Sequence, residues 1–367
     1  MSIPPAPPDP ETRLASLAVE RGLLSREQVD ACLSARVVSD PSAPLELMFV
    51  SLGYLTGLQA DDLVRAAQEP ETPEELIRIV GSCTVLAPLG RGPSGSVHRA
   101  FHGKLGKEVA LKVIGANSLN APLLDRFEER SRRALGMEHP NLARILEVGR
   151  QDGALYIASA LLPGMPLLNA LAGGEPLDLP SALKILKQAA AALHSLHGAG
   201  AVHGNLKPEN VFLTGGTTIQ LTDPGLARDG GEYLREHADL VGSLVFSMAP
   251  EQWAGEAGPA TDLYQCGVLW HFMLTAKTAF GHRWTREIRK NHEQGTARPP
   301  SAFREDLPPA ADAIFTALVQ AEPRRRYPGA EELVDDLERV EKGQEPAGPR
   351  RSIGPRPTKI RRPFPRS

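Results

Sequence analysis

Cysteine is scarce in this sequence, with three residues in 367, at positions 32, 83 and 266. The number is odd and no two cysteines form a C-x-x-C pair, which excludes a disulfide framework or a zinc knuckle and fits a reducing compartment. No run of about 18 apolar residues occurs, so a transmembrane helix is not expected. The N-terminal residues also lack the basic and apolar regions of a secretory signal peptide. We therefore expect a cytoplasmic protein.

An excess of charge of either sign is also missing. Lys and Arg number 41 against 44 Asp and Glu, which gives a formal net charge of −3. Such a balanced chain is not expected to bind nucleic acid as a whole. Aromatic residues make up 5%, hydrophobic residues 41% and charged residues 23%, which is a globular composition rather than a disordered or fibrous one. At about 100–200 residues per domain, the length leaves room for two or three domains.

The N-terminal region divides into a short leader and a helical repeat. Residues 1–10 contain five prolines and are predicted to be disordered. Within residues 11–68, the segment that starts at residue 21 recurs 31 positions later, and each copy has a glycine helix stop followed by a Ser or Thr N-cap. Ser25 and Gln28 also fit a capping box. Two helical hairpins that pack on each other are predicted, as one small domain.

The rest of the chain is predicted to form one larger unit between a linker and a tail. Residues 69–81 are expected to be an acidic linker that runs into a helix. Residues 82–341 begin with short β-branched or apolar runs between glycine turns and continue with apolar residues at helical spacing, which indicates an α+β fold with two lobes. Residues 342–367 carry seven Arg or Lys and no acid from position 350 onward, and this basic tail is predicted to be disordered. The predicted strands are Thr84–Leu89, Ser96–Phe101, Glu108–Ile114 and Thr217–Leu221, and the predicted helices are Pro180–His197, Asp262–Thr275 and Ala310–Gln320.

Two sequence strings favour a phosphate-binding site near the start of this unit. Gly90, Gly92, Gly95 and Val97 form the pattern G-x-G-x-x-G-x-V, in which glycines let backbone N–H groups approach phosphates. Alone the pattern is weak, and a glycine-rich hairpin is an equal alternative. It lies between two predicted strands rather than between a strand and a helix, which argues against a dinucleotide site of the Rossmann type. Lys112, on the third strand, either extends to solvent at the sheet edge or meets a phosphate.

Further strings, in order along the chain, give the sequence a resemblance to a known family. They are V-A-L-K at Val109–Lys112, H-G-N-L-K-P-E-N at His203–Asn210, T-D-P-G-L-A-R at Thr222–Arg228, M-A-P-E-Q at Met248–Gln252, and R-R-R-Y-P at Arg324–Pro328. Together with the glycine string they resemble the eukaryotic-type Ser/Thr protein kinase family, and its bacterial members most. The resemblance covers roughly residues 82–341. It implies a β-rich N-lobe (82–158), a helical C-lobe (163–341) and ATP bound in the cleft between them.

Several positions match family residues that contact ATP. The resemblance assigns the covering of the phosphates to Gly90, Gly92 and Gly95, packing on the adenine to Val97 and Ala110, and the hold on the α- and β-phosphates to Lys112. Ser159 and Ala160 match positions beside the adenine that are commonly bulkier. The resemblance therefore implies a cleft with an enlarged adenine pocket.

Metal binding and the support of the catalytic loop are implied in the same way. Asn210 and Asp223 match the two Mg²⁺ ligands, an amide oxygen and a carboxylate suited to a hard cation. Lys207 matches the catalytic-loop lysine near the γ-phosphate. Three more residues match family residues with supporting roles. Glu251 and Arg326 match a buried ion pair that connects the activation segment to the C-lobe, and Asp262 matches the carboxylate that supports the catalytic loop.

The sequence departs from the family at the proton acceptor of the catalytic loop. Asn205 stands where the family has the Asp that accepts the proton of the substrate hydroxyl, and an amide cannot take that proton near neutral pH. Loss of such a base typically costs on the order of 10²–10⁴ in rate. Gly204 replaces the preceding Arg, which in the family meets a phosphorylated activation segment, so control by that route is not expected.

It departs again at the partner of Lys112. Counted back from His139, the position of the family's Glu falls on Arg130, and Glu129 lies about 100° away around the helix. Either the helix shifts or rotates to bring Glu129 to Lys112, or Lys112 is unpaired and faces a like charge. A slip in the count along the motif is a third alternative. Pro224 also replaces the Phe that packs between the lobes. Retained nucleotide contacts combined with these losses are typical of a pseudokinase.

Three functions stay open on this basis. The first is an ATP-binding pseudokinase that acts as a signalling scaffold or allosteric partner, with an unknown protein bound by the helical domain or the C-lobe. The second is an active but atypical Ser/Thr kinase, in which Glu128 or Glu129 rotates towards the cleft and Asn205 is tolerated. The third is an interaction module without nucleotide binding.

The N-terminal repeat has a second, weaker resemblance, to the N-terminal domain of type II secretion and pilus-assembly ATPases. It rests on the pattern R-L-x-x-x-A-V-x-x-G-L-L that starts at Arg13. Ala15 replaces that motif's Gly, and Pro44 replaces the Arg in the second copy. Some relatives of that domain bind cyclic di-GMP. With one degenerate motif we do not expect this ligand here, and a helical docking module is the preferred interpretation.

Two other features are interpreted without a specific ligand. His194 and His197 lie three apart on one predicted helix, but no third metal ligand is evident, so both are taken as histidines of the helix surface. The basic tail is expected to be solvated, with contact to an anionic surface as the alternative.

Overall fold

The structure, a computed structural model of the chain, describes residues 10–20, 23–39, 44–51, 54–55, 59–60, 63–64, 67, 79–92, 95–115, 121–226, 243–280 and 285–349. Nearly all of the predicted leader, most of the predicted linker and the predicted tail from residue 350 onward lie outside these ranges. No helix in the described part of the chain is long and apolar enough to cross a membrane.

The N-terminal helices are α1 (Pro10–Glu20), α2 (Arg26–Ser39) and α3 (Leu45–Ser51). Helix α1 begins at Pro10, inside the predicted leader, because proline suits the first position of a helix. The capping box before α2 is confirmed. The Ser25 N–H donates to Gln28 Oε1 at 2.8 Å, and the Gln28 N–H donates to Ser25 Oγ at 3.2 Å.

The 31-residue period of the sequence reappears in backbone hydrogen bonds. The N–H groups of Leu23 and Leu24 donate to the Ala18 carbonyl, and those of Tyr54 and Leu55 donate in the same way to the Phe49 carbonyl. Buried side chains repeat with the same spacing, as Leu14 and Leu45, Ala18 and Phe49, Leu24 and Leu55, Val29 and Ala60, and Cys32 and Leu63. Most of these side chains share one hydrophobic cluster, so the repeat has a core of its own.

The first lobe of the larger unit is built on an antiparallel sheet. Among the described residues its six strands follow the order β1-β2-β3-β4-β6-β5. All three strands predicted in this part of the sequence lie inside observed ones, which are longer by one to three residues at an end. The strands are β1 (Ile79–Val80), β2 (Cys83–Gly92), β3 (Gly95–His102), β4 (Lys107–Ile114), β5 (Ile145–Gln151) and β6 (Ala154–Ala160).

Strand β1 corrects the predicted end of the linker of residues 69–81. Ile79–Val80 is a strand paired with β2, not the end of a helix. The Gln151 side chain accepts a hydrogen bond from the Gly81 N–H at 2.8 Å and donates one to the Ile79 carbonyl at 3.0 Å. These bonds satisfy backbone groups that a short edge strand would otherwise leave without a protein partner, so the sheet starts earlier than predicted.

The second lobe is mainly helical. Its helices are α5 (Leu167–Ala170), α6 (Leu179–Gly198), α7 (Pro259–Thr275), α8 (Thr285–Gln294), α9 (Pro309–Leu318) and α10 (Ala330–Glu341), and helix α4 (Ala121–Arg133) precedes them, beside the sheet. A small sheet adds β7 (Met165–Pro166), β8 (Val211–Gly215) and β9 (Thr218–Leu221). The side chains of α7 are almost all buried, and Trp270 Nε1 donates to the Ala311 carbonyl at 3.0 Å. The predicted helices over α6 and α7 are confirmed, whereas α9 ends before the predicted Gln320.

The predicted tail of residues 342–367 is wrong at its start, because residues 342–349 lie against α10. The buried Asp336 carboxylate accepts hydrogen bonds from the Tyr327 hydroxyl at 2.9 Å and from the N–H groups of Ala347 and Gly348, both at 2.8 Å. A buried carboxylate needs such donors, and the backbone after α10 supplies them. The seven basic residues from position 350 onward lie outside the described residues.

Candidate nucleotide-binding cleft

The register of the first sheet puts the predicted nucleotide contacts on one face. Val97 on β3 pairs with Gly90 on β2 and with Lys112 on β4. Residues paired across antiparallel strands share a face, and so do residues two apart along a strand. Ala110 therefore lies on the face of Lys112, and its pairing with Ser159 on β6 adds that residue. The structure thus brings these predicted contacts together.

A small cavity opens on this face between the two lobes. Both the small Ser159 side chain and the Pro224 ring border it. The cavity is lined by Lys112, Ala143, Ile145, Ile157, Ser159, Asp223 and Pro224. Its lining combines apolar side chains with the charged groups of Lys112 and Asp223.

The glycine loop closes at Gly92 and Gly95, the last pair between β2 and β3. Gly95 has a φ of +116°, a conformation that side chains other than glycine rarely adopt. A β-carbon there would lie 2.1 Å from the Val113 carbonyl oxygen. The loop can therefore keep this path over the sheet only with glycine at position 95.

We expect Gly95→Ala to lower the free energy of unfolding by about 1–3 kcal/mol, because the substitution forces a strained backbone and a clash with a rigid carbonyl. Chemical denaturation followed by circular dichroism measures the change. Gly90→Ala is the control in the same loop, since a β-carbon at Gly90 meets nothing within 4 Å. Equal effects of the two substitutions would contradict the explanation.

The catalytic-loop segment is held by the buried carboxylate of Asp262 on α7. Its oxygens accept hydrogen bonds from the N–H groups of His203 at 2.9 Å and Gly204 at 2.5 Å, and one oxygen lies 2.8 Å from His197 Nε2. His197 therefore has a structural partner, whereas His194 is exposed. Burial lowers the pKa of His203, which keeps its ring neutral near pH 7.

Two buried glutamines, which the sequence reading missed, hold Gly204. The Gly204 carbonyl accepts hydrogen bonds from Gln252 Nε2 at 3.0 Å and Gln265 Nε2 at 3.2 Å, and Gln265 Nε2 also lies 3.0 Å from Gln252 Oε1. Gly204 itself has a φ of +65°, which glycine adopts without strain. The sequence does offer one sign of these hydrogen bonds. Gln265 is a polar residue inside the apolar run of α7, and a buried amide needs hydrogen-bond partners.

Asn205, Asn210 and Asp223 are connected through the backbone. Asn205 is buried, and its carbonyl accepts a hydrogen bond from Asn210 Nδ2 at 2.7 Å. The Asn210 carbonyl accepts one from the N–H of Thr222, the neighbour of Asp223, at 2.9 Å. Since the amide nitrogen of Asn210 is used inward, its oxygen is the atom left to meet a cation. Lys207 Nζ lies 3.7 Å from Glu209 Oε1 in the same loop.

Lys112 forms an ion pair with Asp223 across the cleft. Lys112 is buried, and Asp223 has a φ of +59°, a left-handed conformation that Asp tolerates better than most residues. The lysine predicted to hold phosphates and the carboxylate predicted to hold Mg²⁺ are therefore partners of each other. Each neutralises the other's charge in a largely buried place.

The carboxylates of helix α4 point away from Lys112. Glu128 binds Arg132 and Arg150, with Arg150 Nε 2.6 Å from Glu128 Oε2, and these arginines hold the pKa of Glu128 below its usual value. Glu129 is exposed and pairs with Arg133 at 2.6 Å. The alternative in which Glu128 or Glu129 turns to Lys112 is therefore wrong for this structure, because arginines outside the cleft bind both.

Arg130 lies on the side of α4 that faces the segment after Asp223. A β-carbon at Gly225 would lie 2.9 Å from the Arg130 carbonyl carbon and 3.1 Å from the Arg130 Cβ. Arg130 is half-buried there. The residue predicted to place a like charge beside Lys112 therefore packs, through its backbone and Cβ, against Gly225.

Glu251 and Arg326 form the predicted ion pair. Arg326 Nη1 lies 2.6 Å from Glu251 Oε1, and Arg326 Nη2 lies 2.8 Å from Glu251 Oε2. The arginine side chain is fully buried and its guanidinium lies over the Tyr264 ring, 4.7 Å from the centroid. This bidentate contact fixes the M-A-P-E-Q segment against α7.

A sheet of antiparallel strands, a helical lobe and a small cavity between them are the arrangement of the protein-kinase fold. Residues 83–337 match the protein kinase domain family, and the chain belongs to this family. A similar solved structure is the kinase domain of Mycobacterium tuberculosis PknI, with a TM-score of 0.60 and 23% identity over 73% of this chain and 99% of that chain.

Relatives in sequence are bacterial kinases. The chain is 30% identical over 290 residues to the probable serine/threonine-protein kinase SCO3848 of Streptomyces coelicolor, which covers 77% of this chain and 43% of that protein. It is 28% identical over 291 residues to the serine/threonine-protein kinase PknA of Mycobacterium tuberculosis, with 77% and 67% covered. It is 27% identical over 260 residues to the probable serine/threonine-protein kinase CPE1738 of Clostridium perfringens, with 70% and 38% covered. The chain therefore spans less than half the length of two of these relatives.

Proposed function

We propose that the protein is an ATP-binding pseudokinase that acts as a signalling scaffold or allosteric partner. The observation that carries the proposal is the combination found in one cleft. Val97, Ala110 and Lys112 share the face that borders the cavity, while Asn205 stands in place of the proton acceptor. Such a cleft keeps the contacts that bind a nucleotide and lacks the group that starts phosphoryl transfer.

The residues present fit Mg²⁺ bound with ATP. Asn210 offers an amide oxygen and Asp223 a carboxylate, and oxygen donors of this kind suit a hard cation. A bound Mg²⁺ would neutralise charge on the phosphates. Asp223 would then hold the cation, and the Lys112 ammonium, which is its partner here, would be available to phosphate oxygens. Lys207 is the second amine that this proposal places near the phosphates.

The helical repeat of residues 11–68 is the proposed docking module for a partner protein. Its support is a separate hydrophobic cluster of buried repeat residues, which is what a small domain with its own core requires. The basic residues of the tail are a second proposed contact, with an anionic surface. Cyclic di-GMP is not proposed as a ligand, since the motif that suggested it is degenerate in both copies.

We expect ATP with Mg²⁺ to raise the thermal stability of the protein. At an ATP concentration one hundred times the Kd, binding to the folded state alone adds about 2.7 kcal/mol. Differential scanning fluorimetry with millimolar Mg-ATP measures the shift. Lys112→Met should remove it, whereas Lys184→Met, which changes an exposed lysine on α6, should leave it intact.

An absent shift in the unmutated protein would contradict ATP binding and favour an interaction module without nucleotide.

The second alternative, an active Ser/Thr kinase, is supported by the names of the sequence relatives. Transfer of labelled γ-phosphate to the protein itself or to a generic substrate separates that alternative from a pseudokinase. We expect no transfer above the level of the Lys112→Met variant.

A further inference from the structure

The amide of Gln265 on α7 binds the catalytic-loop backbone on both sides of Asn205. Its Oε1 accepts a hydrogen bond from the Leu206 N–H at 2.8 Å, and its Nε2 donates one to the Gly204 carbonyl at 3.2 Å. Gln265 is fully buried, so water does not compete for these hydrogen bonds. One planar group therefore holds the two peptide groups that flank the place of the missing proton acceptor.

A second buried glutamine, Gln252, binds the remaining donor of this amide. Gln252 Oε1 lies 3.0 Å from Gln265 Nε2 and also accepts a hydrogen bond from the Ala249 N–H at 2.9 Å. Gln252 Nε2 donates to the Gly204 carbonyl at 3.0 Å. This set of bonds requires a donor and an acceptor side by side at position 265, which an amide offers and a carboxylate or an apolar side chain does not.

The peptide group between Asn205 and Leu206 connects Gln265 to the proposed metal ligand Asn210. Its N–H binds Gln265 Oε1, and its carbonyl, which belongs to Asn205, accepts a hydrogen bond from Asn210 Nδ2 at 2.7 Å. A peptide group is planar and rigid, so its two ends move together. The direction in which Asn210 presents its side-chain oxygen therefore depends on the hydrogen bond to Gln265.

Asp262, the support that the family resemblance implies, binds an earlier part of the loop. Its carboxylate accepts hydrogen bonds from the N–H groups of His203 and Gly204, which come before Asn205 in the chain. Gln265 follows three residues after Asp262 on α7, and residues at this spacing share a helix face. The two side chains therefore support consecutive parts of the loop, and Gln265 is the one that reaches the peptide group bound to the metal ligand.

We infer that Gln265 is a positioning residue for the Mg²⁺ that accompanies ATP, because it orients Asn210 through the peptide group between Asn205 and Leu206. The inference rests on the proposed function, ATP binding with Mg²⁺ in this cleft, and it adds a residue behind the catalytic loop that sets the metal affinity. Removal of a hydrogen-bond partner of a metal ligand typically weakens metal binding by about 10- to 100-fold. We expect an effect near the lower end, since Gln265 acts through one intervening peptide group.

Isothermal titration calorimetry of the full chain with ATP, once in EDTA and once in saturating Mg²⁺, tests the inference. The ratio of the Kd in EDTA to the Kd in Mg²⁺ measures the contribution of the metal. Gln265→Met keeps the length of the side chain and removes the amide, so it should lower this ratio by about tenfold. General damage to the cleft would instead raise both Kd values and leave the ratio unchanged.

Thr275→Val is the matched control on the same helix. Thr275 lies at the other end of α7, about 15 Å along the helix axis from Gln265. Its buried hydroxyl donates to the His271 carbonyl at 2.7 Å and accepts from the Lys277 N–H at 3.1 Å. The variant loses buried hydrogen bonds of α7 without touching the catalytic loop, so its ratio should match that of the unmutated protein. Melting temperatures without nucleotide establish that each variant is folded.

A double-mutant cycle tests the route through Asn210. Asn210→Ala removes the oxygen that would meet the cation and should raise the Kd in Mg²⁺. In that background Gln265→Met should cause no further rise, because the group that it orients is gone. Gln252→Met is the second variant of the positioning group, and it should lower the ratio by less than Gln265→Met does, since Gln265 keeps its own bonds to both peptide groups.

The outcomes separate the inference from the proposed function. An unchanged ratio in folded Gln265→Met, or in Gln252→Met where Gln265→Met does not fold, overturns the inference and leaves ATP binding standing. A ratio near one in the unmutated protein does the same, because the metal would then contribute nothing. Additive effects in the cycle overturn the route through Asn210. An absence of ATP binding in both conditions overturns the inference and the proposed function together.

Discussion

Arg326→Ala is expected to lower the free energy of unfolding by about 3–5 kcal/mol, because it leaves a buried carboxylate without its partner. The Arg326 guanidinium donates to both oxygens of Glu251 and also to the carbonyls of Ala260, Gln320 and Ala321, at 2.8, 2.8 and 3.1 Å. Truncation removes all of these bonds and creates a void beside α7. A loss of this size is a large part of the stability of a typical domain.

Urea denaturation followed by circular dichroism measures this loss. The control is Arg324→Ala, in the same R-R-R-Y-P string, since Arg324 is 89% exposed and pairs with Glu322 at the surface. Its effect should stay within about 0.5 kcal/mol. The double variant Arg326→Ala/Glu251→Ala should lose less than the sum of the two single losses, because the uncompensated charge disappears. A loss below about 1 kcal/mol for Arg326→Ala would contradict the structural role.

Much of the cleft could be predicted because its residues follow local rules. Val97, Ala110 and Lys112 share a face since strand periodicity fixes which side chains point together. The motif alone predicts the pair of Glu251 and Arg326. The Arg326 side chain is fully buried, and a buried charge requires a partner of opposite charge. The strands and the helices α6 and α7 followed from hydrophobic spacing and glycine turns.

The partner of Lys112 could not be predicted, because it depends on competition among charges far apart in the sequence. Glu128 lies near the position expected to face the cleft, but Arg150 on β5 binds it from outside. Lys112 then pairs with Asp223, more than one hundred residues away. The local sequence does not show which carboxylate pairs with Lys112, because each possible ion pair is chemically ordinary. Only the packing of the folded chain selects among them.

The ordered start of the tail escaped prediction for a similar reason. Residues 342–349 have a polar composition with Gly and Pro, which favours disorder. Their order comes from the buried carboxylate of Asp336 in α10, which accepts hydrogen bonds from the backbone of Ala347 and Gly348. Backbone N–H groups do not depend on the identity of the side chain, so the composition of this segment could not predict the contact.

Asn205→Asp alone is expected to leave the rate of phosphoryl transfer within about tenfold of the Lys112→Met background, although a missing base is the most obvious defect of this cleft. The new carboxylate restores only proton transfer. Catalysis of phosphoryl transfer is mainly positioning and charge stabilisation, and these depend on Lys112, which is held by Asp223 rather than by helix α4. Substitutions in residues that act as a unit have non-additive effects. Restoring the family residue at one position therefore raises the rate only a little while the other positions remain changed.

The combination of Asn205→Asp with Arg130→Glu and Pro224→Phe should therefore exceed the single variant by on the order of 10² in rate. Autophosphorylation with labelled ATP and Mg²⁺ measures both. Because Pro224 is buried, the double variant without Pro224→Phe is measured beside the triple one, with melting temperatures as the check on folding. Robust autophosphorylation by the unmutated protein, lost on Lys112→Met or Asp223→Ala, would overturn the pseudokinase proposal, since the cleft would then transfer phosphate without a carboxylate at position 205 and without an acidic partner from α4.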